Sequence, residues 1–94
     1  MPTAVARHIL VPTEDKARQL KTDIEGGESF ADLAKKHSQC PSGRSGGDLG
    51  EFGQGDMVPE FDNVVFGDLP VGQVSDPVKT QFGYHLLEVQ KRMD

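Results

Sequence analysis

The stretch Ala4-Val5-Ala6-Arg7-His8-Ile9-Leu10-Val11 decides the fold. Only Arg7 and His8 interrupt its apolar character, and a short run of this kind reads as a strand buried on both faces, hence central in a sheet. Its counterpart lies at the other end of the chain. From Tyr84 to Arg92, His85, Leu87 and Val89 alternate with Tyr84, Leu86 and Glu88, as in a strand. Pro77 to Thr80 precedes it, and the two segments form a hairpin about Gln81-Phe82-Gly83. The first and last strands are the most apolar, so they are expected side by side in the middle of an antiparallel sheet.

Helices fill the space between them. Thr13 is an N-cap followed by Glu14 and Asp15, and Ala17, Leu20 and Ile24 recur at helical spacing until Gly26-Gly27. A second helix starts at Ser29, where Ser29-Phe30-Ala31-Asp32 resembles a capping box with Asp in place of Glu. Phe30, Leu33 and Ala34 form its buried stripe, and Lys35-Lys36 suit its C-terminal end. Ser38 to Gly55 reads mostly as loop, with a brief strand from Leu49 to Phe52. Pro59 opens a third helical stretch in which Phe61, Val64 and Val65 share a face, closed by Gly67. Pro70-Val71-Gly72-Gln73 is a turn. The order predicts one α+β domain over residues 1–94.

Composition narrows the function classes. A chain of 94 residues is one small domain, which buries only about 60–65% of its unfolded surface. Ten basic against 15 acidic residues, net −5, argue against nucleic acid or an anionic membrane as the main partner. No stretch approaches the ~20 apolar residues of a membrane span, and no signal-peptide pattern precedes the first strand. Cytoplasmic residence is the resulting expectation, although a domain excised from a larger exported protein would read the same. The single cysteine, Cys40, excludes an internal disulfide and any multi-cysteine metal site, and a free thiol suits a reducing compartment. With no heptads or long apolar face, a monomer is expected, with no metal or cofactor.

The chemistry-bearing residues are few. A lone His on an apolar strand is more often core than catalyst, but His8 and His85 lie on two strands expected to pair. Antiparallel pairing lets the imidazoles meet on one face and share a hydrogen bond, with the Thr80 hydroxyl orienting one ring. His37, at a helix end beside two lysines, reads as a solvated or capping residue. Cys40 precedes Pro41, which biases it toward extended backbone. Cysteine plus histidine is also the recipe for a thiol nucleophile, so a cysteine hydrolase is one reading. Against it, no residue stands out as an oxyanion hole or third triad member. Phe61 sits on a helix and is by default core, whereas Met57 and Phe82 lie in loop or turn segments beside glycines and are less easily explained as core alone. Together with Leu49 they are candidates to line a shallow apolar pocket. The glycine-rich segment lacks a Gly-Lys-Ser/Thr ending, so it is not a phosphate cradle.

Several of these segments, in order, resemble the parvulin family of peptidyl-prolyl isomerases. They are His8-Ile9-Leu10-Val11, Ser38-Gln39-Cys40-Pro41-Ser42-Gly43, Gly46-Gly47-Asp48-Leu49-Gly50 and Phe82-Gly83-Tyr84-His85. Met57-Val58-Pro59-Glu60-Phe61 and Pro77-Val78-Lys79-Thr80 fall between them at family-like spacing. The resemblance covers essentially the whole chain, and in size the chain is similar to small stand-alone bacterial parvulins. It implies a four-stranded antiparallel sheet wrapped by about four helices, similar to the FKBP fold. It also implies rotation of X-Pro bonds in peptides and unfolded polypeptides, by a non-covalent mechanism that assists folding. His8 and His85 match the paired core histidines, Thr80 a hydroxyl linked to them, and Cys40 a position held by Cys or Asp. Leu49, Met57 and Phe61 match the proline-ring pocket, and Phe82 its rim. One departure matters: the phosphorylation-directed branch has a longer, basic loop after the first strand. Here Val11 runs through Pro12 into Glu14-Asp15, with no Arg cluster to pair with phosphate. Phospho-independent recognition is therefore expected, and with no tryptophan there is no WW module.

Overall fold

The computed structural model describes residues 2–93. In chain order the elements are β1 (Thr3–Val11), α1 (Glu14–Glu25), α2 (Phe30–His37), a 3-10 turn (Pro41–Ser45), β2 (Asp48–Gly53), α3 (Pro59–Val65), β3 (Val78–Thr80) and β4 (Gly83–Met93). The strands form one sheet in the order β2-β1-β4-β3, and every neighbouring pair is antiparallel. The two most apolar strands therefore sit in the middle, as their composition predicts.

Burial on both faces explains their unbroken hydrophobicity. On one face Ile9, Val11 and Leu86 pack under Ala17 and Leu20 of α1 and under Phe30, Leu33 and Ala34 of α2. On the other, Ala4, Ala6, Leu87 and Val89 pack against Phe52 and against Phe61 and Val65 of α3. Side chains such as Ile9, Leu86 and Leu87, fully removed from water, each contribute roughly 1.5–3 kcal/mol. Arg7 interrupts the central strand because it has partners there. Its guanidinium meets Glu88 Oε1 at 2.8 Å and lies 4.7 Å from the centre of the Phe30 ring, tying α2 to the sheet.

The helix starts follow from their caps. Thr13 Oγ1 accepts from Lys16 N, and Ser29 Oγ accepts from Asp32 N. The helix count differs from the expectation of about four: among the described residues there are three α-helices, and the remaining helical segment is the 3-10 turn. Its bonds run three residues back, Gly43 N to Cys40 O and Gly46 N to Gly43 O, and Gly46 ends it in the left-handed region at φ 71°. One glycine within five residues and a second ending them leave little to propagate an α-helix.

What positions the site is the way this loop closes on β1. β2 leaves β1 at Arg7, and the loop takes over the vacated edge. His8 N donates to Gly47 O, Gln39 N donates to Leu10 O, and Leu10 N donates to Ser38 Oγ. The approach is so close that a Cβ on Gly47, at φ +85°, would stand 2.2 Å from His8 O.

Candidate active site

In the β1–β4 register His8 faces Leu87 and Leu10 faces His85, so the histidines are diagonal neighbours on one sheet face. Their Nδ1 atoms lie 3.1 Å apart. The outer ring nitrogens are engaged too: His85 Nε2 meets Thr80 Oγ1 at 2.7 Å, and His8 Nε2 meets Ser42 Oγ at 2.9 Å. Thr80 Oγ1 also accepts from Phe82 N. The result is a chain Thr80–His85–His8–Ser42 in which all four imidazole nitrogens have a partner.

Both rings are buried, each 3% exposed. Burial, and for His8 also the neighbouring His85, pushes each pKa down from 6.5 to about 4. The pair is neutral at pH 7, so one Nδ1 donates and the other accepts. Phe61 of α3 stands edge-on to both rings, with centroids 5.6 Å from His8 and 4.7 Å from His85. The interplanar angles of 66° and 80° are those of T-shaped aromatic contacts.

Over this floor opens a cavity of about 470 Å³ lined almost wholly by apolar atoms. The sheet supplies His8, Leu10 and His85; the loop supplies Gln39, Cys40 and Pro41; and Leu49 comes from β2. Met57, Val58 and Phe61 form the wall at the start of α3, and Phe82, 61% exposed, stands at the mouth. The hairpin turn forces Phe82 outward, next to Gly83 at φ +139°. A cavity of this size and polarity holds an apolar ring and excludes water from it.

All eight residues singled out in the sequence converge here: His8, Cys40, Thr80 and His85, with Leu49, Met57, Phe61 and Phe82. His37, at the end of α2, takes no part in the cavity. Ser42 escaped the sequence reading. The available signal was a hydroxyl two residues beyond Cys40, but only the docking of the loop on β1 brings it to His8. The network ends on Ser42 rather than on the Cys40 thiol, which sits at the cavity wall. Among the described residues no three His, Cys, Asp or Glu side chains converge as metal ligands. No helix of the described residues is long and apolar enough to cross a membrane.

A four-stranded antiparallel α+β fold with paired neutral imidazoles beneath an apolar cleft defines a site suited to gripping a ring and turning the bond beside it. The family model for rotamase, the PPIC-type PPIASE domain, matches residues 8–91, and the chain belongs to this family. The foldase protein PrsA of Geobacillus sp. (strain WCH70) is 54% identical over 89 residues, covering 94% of this chain and 32% of that protein. The crystal structure of the peptidylprolyl isomerase PrsA from Bacillus anthracis superposes with a TM-score of 0.94 at 42% identity, over 99% of this chain and 43% of that one. The parvulin of Nitrosopumilus maritimus gives a TM-score of 0.87 at 36% identity, over 97% of this chain and 98% of that one. The chain thus spans about a third of the length of the PrsA relatives it matches and nearly all of the Nitrosopumilus maritimus parvulin.

Proposed function

We propose that residues 1–94 act as one peptidyl-prolyl cis-trans isomerase domain that rotates X-Pro bonds in peptides and unfolded polypeptides and so assists their folding. The observation that carries this reading is the apolar cavity floored by the neutral His8–His85 pair and walled by Leu49, Met57 and Phe61. Amide resonance makes rotation about X-Pro cost roughly 20 kcal/mol. The cavity fixes the proline ring while the residue before it turns. An apolar surround disfavours the charge-separated resonance form that resists twisting. Acceleration comes from holding the twisted amide more tightly than either planar form.

Cys40, on this reading, shapes the field beside the substrate carbonyl and makes no covalent bond. The occupied ring nitrogens support this. A thiol nucleophile needs a free imidazole nitrogen, and Ser42, Thr80 and the partner ring take all four. The acidic start of α1, with Glu14 and Asp15 after β1, supports recognition without a phosphate. The lone thiol supports a reducing, cytoplasmic setting and the monomeric state is part of the same proposal; cell fractionation and sedimentation test them.

The direct test is two-dimensional NMR exchange on a tetrapeptide panel that varies the residue before proline. Catalysed cis-trans exchange with no cleavage is expected. Cleavage of the peptide, abolished by alkylating Cys40, would replace this reading with the cysteine hydrolase.

A further inference from the structure

A second groove, of about 480 Å³, lies on the outer side of the Cys40 loop. It shares Gln39, Cys40 and Pro41 with the proline cavity, so the two border the same three-residue segment. Its outer wall carries Lys35, from the last turn of α2, and Arg44, from the 3-10 turn. Both side chains are exposed, and neither forms an ion pair with a described residue. No described residue lining the groove is acidic. In a chain of net charge −5, two unpaired cations facing one groove form a local reversal of sign. Another groove, with Asp68 and Asp76 on its lining, shares no residue with the cavity.

We propose that the Lys35–Arg44 groove is a specificity subsite that takes an acidic side chain, Asp or Glu, of the peptide whose proline occupies the cavity. The subsite rests on the isomerase reading for the position of that proline. A chain leaving the cavity across Gln39, Cys40 and Pro41 advances roughly 3.5 Å per residue, so the carboxylate belongs within about three residues of the proline. Lys35 and Arg44 line the same groove, and each is a cation that pairs with a carboxylate. The cations stand on α2 and the 3-10 turn, away from the segment after β1, where Glu14 and Asp15 are found. The local charge here selects acidic segments, even though the whole surface is negative.

The test uses fluorescein-labelled peptides with one central proline and a single Glu or Lys walked through the flanking positions, read by binding anisotropy and by NMR exchange. At one position Glu is expected to bind about two- to fivefold more tightly than Lys, the size of solvent-exposed ion pairs, with the gap closing in about 0.5 M NaCl. In the double variant Lys35→Glu/Arg44→Glu, its fold checked by circular dichroism, the Glu-to-Lys ratio inverts. Equal binding of Glu and Lys peptides at every position, no binding of either, or a Glu preference that survives in the double variant would overturn the subsite. Catalysed exchange without charge preference removes the subsite and leaves the isomerase. The preference without catalysis removes the isomerase and leaves the subsite.

Discussion

His8 Nδ1 and His85 Nδ1 share a hydrogen bond of 3.1 Å across the two central strands, and both outer nitrogens are held by hydroxyls. Neither ring has a nitrogen left for another partner, so the pair is a structural beam under the cavity whose integrity depends on neutrality.

Acid should therefore unfold the domain in a defined window. Each histidine has its pKa pushed down from 6.5 to about 4 in the folded state. The unfolded chain takes up protons first, so stability is complete above pH 6.5 and is lost as pH falls toward 4. At roughly 1.4 kcal/mol per pKa unit, two groups moved from 6.5 to about 4 set an upper limit of about 7 kcal/mol on the cost across that window. Urea denaturation at a series of pH values measures it. A flat profile between neutrality and pH 4 would show that the rings do not behave as a buried neutral pair.

Thr80 holds His85 and the Phe82 amide with one hydroxyl. Replacing Thr80 by Val keeps the shape and orphans a buried ring nitrogen, at about 1–3 kcal/mol. The nitrogen-15 shift of His85 Nε2 should move with the loss of its partner, and isomerase activity should fall with it. An unchanged imidazole spectrum would remove Thr80 from the network.

Phe61 serves the pocket wall and the histidine floor together, edge-on to both rings. Phe61→Leu should lower stability by about 1 kcal/mol while lowering kcat/KM by about tenfold, because the substituted side chain loses ring contacts on both sides. Activity equal to the parent with intact fold would mean that the cavity does not grip the substrate.

Gly47 is the point of closest approach between the loop and β1. A Cβ there would stand 2.2 Å from His8 O in a backbone at φ +85°. Gly47→Ala should cost more than about 2 kcal/mol in chemical denaturation, and should lift Ser42 away from His8. A variant as stable as the parent would show that the loop is not clamped as described.

The strands and helices were legible because burial on two faces, caps and glycine stops leave local marks. The apolar runs around His8 and His85 placed β1 and β4 at the centre, and Thr13 and Ser29 marked two helix starts that form as expected. The meeting of the histidines was legible only as a possibility of antiparallel pairing. Their diagonal contact depends on a register that shifts between Val5 and Ala6, which no local pattern records. Ser42 was hidden for a related reason. Its place beside His8 follows from backbone bonds between distant segments, Gln39 to Leu10 and His8 to Gly47. The Lys35–Arg44 groove was hidden by averaging, since the net charge of the chain has the opposite sign.

Non-covalent catalysis by the pocket is the central claim, and NMR exchange rates on one proline peptide test it most directly. The proteins to compare are the parent, Cys40→Asp, Cys40→Ala and Met57→Ala, each checked for fold. Cys40→Asp should retain substantial activity, and Cys40→Ala should lose less than Met57→Ala. Complete loss of exchange in a folded Cys40→Asp protein would contradict the account and count heavily for a thiol nucleophile.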